Sequence, residues 1–360
     1  MPSTTHSEFH AHTEALEVAK AFADGIRGKT ILIAGVNRGG IGFPTAQAFA
    51  SQSPANLILT GRTPSKVQES IDALKADYPN VNYRVLKIDL SNQNSVRAAA
   101  AEVLAWSDIP AIDIVVNSAG IMGIQERTIT EEGIELHFAT NHIGHWLFTC
   151  SILPKLIKAA SGSPKGATRI INVSSGSPYM ASMRWSDRNF EKVSTELPEA
   201  EQPNYEFLGA WGYTNLRNEA YNPVEAYSQS KIANVLFGIA ANKRWFEKHG
   251  ILTLALHPGV IHTELGRAFA EDTLVSIKKL ADQGLIDYKT LGAGASTSLV
   301  AALDPKLAVG VGETKDGNEN YGAFLDNCQI SDQCRPGSVS SAEAERLWRL
   351  SEELVKQSFT

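Results

Sequence analysis

Cysteine is scarce in this 360-residue chain: Cys150, Cys328 and Cys334 form no Cys-x-x-Cys pair and leave an odd count. A disulfide scaffold is thereby excluded, and a reducing, cytosolic compartment is expected. Basic charge is also in short supply. With 33 Lys and Arg against 39 Asp and Glu, the formal charge is -6, which argues against a general electrostatic grip on nucleic acid or anionic lipid. Small molecules are the expected partners. No stretch approaches the roughly 18 apolar residues of a membrane span, and Met1 to Lys29 carries acids and histidines where a signal peptide needs a basic end and an apolar run. No membrane anchor is expected. His6, His10 and His12 lack a Cys or acid to complete a coordination shell, so no metal site is expected there.

What is present is an alternation of short apolar runs with longer helical stretches, the pattern of a parallel sheet covered on both faces. Strands are expected at Thr30 to Ala34, Asn56 to Thr60, Tyr83 to Ile88, Ile112 to Val116, Arg169 to Val173 and Leu252 to Leu256. Helices are expected at Phe43 to Ser51, Ser65 to Asp77, Ser95 to Trp106, Glu131 to Lys158 and Glu225 to Glu247. The fold class is therefore α/β, a doubly wound three-layer sandwich. One domain over 29–360 is expected, preceded by an extension over 1–28. Two regions break its rhythm: an irregular insertion over 176–226, and a tail over 311–360 that closes on an amphipathic helix around Ala342 to Val355.

The first strand runs into Gly35-Val36-Asn37-Arg38-Gly39-Gly40-Ile41-Gly42, and a helix follows at once. Glycines there let the backbone approach a pyrophosphate, whose charge meets the amides and the positive end of the helix. A further absence is informative. A dinucleotide fold that prefers NAD carries an acid about 20 residues on, against the ribose 2′-hydroxyl; here the second strand ends in Thr60-Gly61-Arg62. Arg62, with Arg38 nearby, suits a 2′-phosphate, so NADP is the expected cofactor.

Two Tyr-x-x-x-Lys pairs occur, Tyr83 with Lys87 in an expected strand and Tyr227 with Lys231 at the start of a long helix. On a helix, residues four apart share a face. A phenol holds its proton tightly, with a pKa near 10, and a neighbouring ammonium lowers that value. Tyr227 is thus the expected acid in carbonyl reduction and base in alcohol oxidation. Ser175 follows the strand that ends at Val173, at the carboxyl edge where such sheets bind ligands.

These features resemble the short-chain dehydrogenase/reductase family. The glycine loop resembles its TGxxxGIG, with Gly35, Asn37, Arg38, Gly40, Ile41 and Gly42 in the binding positions, but Ala34 replaces Thr and one extra residue separates Gly35 from Gly40. Asp89-Leu90 looks like the turn that contacts adenine. Asn117-Ser118-Ala119-Gly120 looks like its NNAG, which assigns Asn117, Ala119 and Gly120 to the cofactor site. The resemblance implies that Ser175 orients the carbonyl, that Lys231 also reaches the nicotinamide ribose, and that Asn141 fixes a water linking Lys231 to solvent. It further implies that Pro258, Gly259, Val260 and Thr263 hold the nicotinamide carboxamide. Asn141-His142-Ile143-Gly144-His145 and the sequence around Tyr227 are similar to the retinol dehydrogenase and WW-domain oxidoreductase branch, and to soluble fungal natural-product reductases.

Small members of that family place about a dozen residues between serine and tyrosine, whereas here there are about 50. Eight aromatics fall among them: Tyr179, Trp185, Phe190, Tyr205, Phe207, Trp211, Tyr213 and Tyr221. The insertion reads as a mobile substrate lid, with a homo-oligomer contact as the alternative. A reductase of a bulky, mostly apolar ketone or aldehyde is expected, or the reverse oxidation. A non-redox enzyme on the same scaffold, such as a cyclase or dehydratase, and an NADP(H)-sensing regulator are the competing readings.

Overall fold

The computed structural model describes residues 1–359. Its strands are β1 (Thr30–Ala34), β2 (Asn56–Gly61), β3 (Asn82–Lys87), β4 (Ile114–Asn117), β5 (Thr168–Val173), β6 (Ile251–His257), β7 (Val260–Ile261), β8 (Tyr288–Lys289), β9 (Phe324–Asp326) and β10 (Gln329–Ile330). Eight of them form one sheet in the order β10-β9-β6-β5-β4-β1-β2-β3, parallel except for the β9–β10 hairpin, while β7 and β8 pair separately. The chain winds one way from β1 to β3 and the other way from β4 to β6. This reversal opens a crevice at the carboxyl ends of β1 and β4. Register places Ala34 beside both Thr60 and Asn117, and Asn117 beside Asn172, so the expected cofactor and catalytic segments leave the sheet along one edge.

Both faces are covered because β1, β4 and β5 are buried along their whole length. One layer holds the helices Gly144–Ser151, Pro223–His249 and Ser341–Val355; the other holds Ala15–Ala21, Gly42–Ala50 and Leu291–Leu303. The closing helix packs Trp348 against Trp146 and Trp245, with ring centroids 5.2 and 5.5 Å apart. All six expected strands and the closing helix are present.

Three elements differ from expectation. The first 28 residues are not a bare extension: Val18 and Ala19 are fully buried on the layer containing Leu291–Leu303. The tail adds β9 and β10, too short for alternation to reveal. The expected helix over Glu131 to Lys158 is split. It begins only at Leu136, where the Glu135 side chain accepts from the Phe138 amide, passes through a π-turn over Ala139–Ile143, and restarts at Leu153 beside Pro154.

Candidate active site

The glycine loop owes its shape to two close approaches. Gly35 has φ +85°, and a Cβ there would lie 2.5 Å from the Ala119 Cα; a Cβ on Gly42 would lie 2.3 Å from the Gly35 carbonyl oxygen. No side chain fits at either place, so β1, the loop after β4 and the helix Gly42–Ala50 meet backbone to backbone. The extra residue is taken up in the turn between them, where Gly40 donates to the Asn37 carbonyl at 3.2 Å and Gly39 donates to Asn37 Oδ1 at 3.1 Å. Ile41 precedes the first helical residue, and its carbonyl accepts from Thr45 Oγ1 at 2.8 Å.

Arg62 leaves the carboxyl end of β2 exposed and, among the described residues, without a side-chain partner; Arg38 lies over the Phe43 ring, its guanidinium carbon 4.4 Å from the centroid. No acid stands at the end of β2 to repel a phosphate. Next along the edge, Asp89 accepts from the Ser91 amide and hydroxyl at 3.0 and 2.6 Å. The Leu90 carbonyl lies so near Gly144 that a Cβ there would approach it to 2.2 Å.

Behind the crevice runs a buried polar network. Asn117 donates to Asn172 Oδ1 at 2.9 Å, Asn172 donates to the Asn234 carbonyl, and Asn234 donates to the Asn141 carbonyl at 2.8 Å. The Asn141 side chain grips the Ile121 backbone in both directions at 2.9 Å and donates to Ser230 Oγ. Asn141 and Lys231 are not bonded to each other. They flank Gly120, where a Cβ would lie 3.2 Å from Asn141 Oδ1 and 3.4 Å from Lys231 Nζ. Burial drives the His145 imidazole down to about 4, so its ring is neutral and its single N–H serves one acceptor, with Nε2 2.9 Å from the Ala119 carbonyl and Nδ1 3.2 Å from Asn117 Oδ1.

At the end of β5 the two serines part. Ser174 Oγ donates to the Lys231 carbonyl at 2.6 Å and is committed to structure, whereas the Ser175 hydroxyl stands beside the Tyr227 phenol. Ser177 was not anticipated, since no motif marks it: it links Ser175 Oγ at 2.8 Å to Ser228 Oγ at 3.1 Å. The helix Pro223–His249 starts with Asn222, whose side chain accepts from the amides of Val224 and Glu225, and Pro223 suits its first turn. Tyr227 and Lys231 are both buried on it.

One electrostatic expectation is corrected. The phenol of Tyr227 is pushed up, not down, because burial outweighs the opposing effect of the Ser175 hydroxyl beside it. The ammonium of Lys231 donates to the Val173 carbonyl at 2.9 Å and lies over the Tyr227 ring with Nζ 5.6 Å from its centroid, and burial lowers Lys231 to about 7. Beyond β6, Gly259 has φ +91° and lies under the Lys289 side chain, Val260 pairs with Tyr288, and Thr263 Oγ1 accepts from the Leu265 amide at 3.2 Å. Pro258 precedes this turn at the same sheet edge.

The insertion divides into two parts. Tyr179 and Trp185 pack on the main core, and Phe190 is fully buried. Tyr205, Phe207, Trp211 and Tyr213 instead form a small cluster with Leu208, Leu216, Val224 and Phe269.

Comparison with known proteins identifies the family and the fold. The short chain dehydrogenase family model matches residues 29–187. Oxidoreductase fscI of Fusarium equiseti is 38% identical over 251 residues, covering 70% of this chain and 94% of that protein. Human retinol dehydrogenase 13 is 31% identical over 337 residues, covering 92% and 85%. Among solved structures, an uncharacterized protein from Mycobacterium paratuberculosis superposes with a TM-score of 0.60 at 24% identity, covering 93% of this chain and 96% of that one. NADPH-bound carbonyl reductase from chicken fatty liver superposes at 0.53 and 22%, covering 83% and 96%. A sheet edge with these residues, together with relatives this similar over most of their length, makes the chain a member of the short-chain dehydrogenase/reductase family.

Proposed function

We propose that the protein is an NADP(H)-dependent reductase of bulky, mostly apolar ketones or aldehydes, with the reverse oxidation open to the same site. The observation that carries this reading is the meeting of Ser175, Tyr227 and Lys231 at the carboxyl end of β5, beside a crevice whose glycines leave room only for backbone. The residues fit an NADP group: Gly35, Asn37, Gly40, Ile41 and Gly42 would cradle the pyrophosphate, and Arg62 with Arg38 would meet the 2′-phosphate. Asp89 and Leu90 would border adenine. Asn117, Ala119 and Gly120 would line the ribose side, and Pro258, Gly259, Val260 and Thr263 the carboxamide.

When bound, the reduced nicotinamide supplies a hydride to the carbonyl carbon. Ser175 Oγ holds the carbonyl oxygen and Tyr227 delivers a proton to it, a role suited to a phenol that burial keeps protonated. A charged Lys231 steadies the phenolate that remains. Asn141, through Ile121 and Ser230, keeps Gly120 and the Tyr227 helix at a constant separation. The aromatic cluster of 205–213 with Phe269 covers an apolar substrate.

Purified protein is tested with NADPH and a panel of aromatic ketones and aldehydes. Steady NADPH consumption, lost in Tyr227→Phe, is the expected result. NADPH binding without turnover of any carbonyl would favour the sensing or non-redox readings.

A further inference from the structure

The helix that carries Tyr227 is held from behind by a buried guanidinium. Arg184, in the first part of the insertion, is 1% exposed. Its Nη1 donates to Glu225 Oε1 at 3.2 Å, its Nη2 to Asp187 Oδ2 at 2.6 Å and to the Lys192 carbonyl at 2.5 Å, and its own amide to Gln229 Oε1 at 3.1 Å. Gln229 Nε2 returns a bond to the Arg188 carbonyl at 3.1 Å. Glu225 and Gln229 stand two residues before and after Tyr227. At about 100° per residue both lie roughly 160° around the helix from it, on the opposite face.

The turn that presents Arg184 is held in an unfavourable conformation. Phe190, fully buried with its ring 4.5 Å from the guanidinium carbon, has φ +58°. A bulky residue persists there only when its surroundings over-determine it. Asp187 helps, accepting from the amides of Glu191 and Lys192 at 2.9 and 2.8 Å.

We propose that Arg184 is a positioning residue for the reaction: by gripping Glu225 and Gln229 it sets the rotation of the helix that aims Tyr227 and Lys231 at the crevice. The inference rests on the role assigned to Tyr227 above. It also implies that the first part of the insertion is a bracket, and that covering of the substrate is left to 204–222.

The bracket carries its own titration. Arg184 and Asp187 are the charged groups facing Glu225, and both come from the insertion; two acids therefore share one guanidinium. Burial, opposed by Arg184, raises the Glu225 carboxyl to about 7. Its charge on Arg184 is present above that value and lost as pH falls through it, so turnover loses its grip on the acid side.

The test compares wild type, Arg184→Met, Glu225→Gln and Tyr227→Phe on the best carbonyl from the panel, with NADPH affinity measured separately. Arg184→Met is expected to lower kcat by about 10-fold to 100-fold while NADPH Kd and carbonyl KM stay within about 3-fold, because misaiming the proton donor costs rate without removing a binding contact. Glu225→Gln is expected to abolish the acid limb of the kcat profile near pH 7. A merely structural bracket would lower stability and leave that limb in place. A folded, NADPH-binding Arg184→Met protein with kcat within about 3-fold of wild type, or an acid limb that persists in Glu225→Gln, overturns the inference. If Arg184→Met does not fold, the Glu225→Gln profile decides alone. Full turnover in Tyr227→Phe would overturn the reading of the site and this inference with it; loss of turnover there beside an active Arg184→Met removes only the inference.

Discussion

Tyr83 with Lys87 and Tyr227 with Lys231 share one spacing and stand in opposite settings. The first pair lies on β3, where a rise of about 3.3 Å per residue sets positions four apart at roughly 13 Å. Tyr83 donates to the Tyr78 carbonyl at 3.1 Å, and burial pushes its phenol up to about 12; Lys87 is exposed. The second pair lies on a helix, where four residues span about 6 Å of axis on one face. It begins beside the end of β5 and meets Ser175. The spacing has chemical meaning only when backbone period and sheet edge bring the phenol, the ammonium and a hydroxyl to one place.

The difference is most open to attack at the phenols. Tyr227→Phe is expected to lower kcat by about 10² to 10⁴ with little change in NADPH affinity, whereas Tyr83→Phe stays within about 2-fold. Similar turnover of the two folded variants would erase the distinction.

The ammonium groups should differ next. Burial depresses Lys231 from its ordinary 10.5 to about 7, so the charged form proposed to steady the phenolate is lost as pH rises through that value. Reductive kcat/KM should therefore fall on the alkaline side by about 10-fold per pH unit, and Lys231→Met should leave a residual rate without that limb, while Lys87→Met keeps it. The unfolded chain binds the Lys231 proton up to about 10.5, so this group's contribution to stability rises between pH 7 and 10.5. Denaturant midpoints across that range check the sign.

Lys87 has one further bearing on the site, because it pairs with Gly61 and so stands next to the residue that leads into Arg62. Arg62→Asp is expected to erode the preference for NADPH over NADH by about 10-fold to 150-fold, from a charged contact of about 1.5 to 3 kcal/mol. Lys87→Ala should shift it by less than about 3-fold. Equal losses in the paired cofactor titrations would spread the phosphate charge along the edge instead of assigning it to Arg62. The smallest effect is on stability: removing the Tyr83 hydroxyl deletes a partly buried hydrogen bond and should cost about 1 kcal/mol or less in denaturant unfolding.

Much of the sheet could be read from residues alone. Thr30–Ala34, with every residue buried, is an unbroken apolar run because both faces need cover. The six main strands are found where those runs stand. The Gly35 to Gly42 loop was legible because glycine permits two backbone contacts that no other residue allows. β9 and β10 were not, since three and two residues contain no period, and they exist only because β6 offers Phe324–Asp326 an edge to join. The break at Ala139–Ile143 was hidden for a related reason: no Pro or Gly inside it marks a change of period, and what surrounds the π-turn is the packing of Gly144 against Leu90 and of Asn141 around Ile121.

The amino-acid sequence by itself determined the α/β order, the glycine loop, the pairing of Tyr227 with Lys231 on one helical face and the absence of an acid after β2, because each follows from local backbone preference or from spacing within one element. The tertiary structure alone decided that Tyr227 is raised by burial, that Lys231 turns to the Val173 carbonyl, and that Arg184 reaches Glu225 across 41 residues of chain. Desolvation and hydrogen-bond partners depend on which elements close over a group, and that is a property of the packed layers.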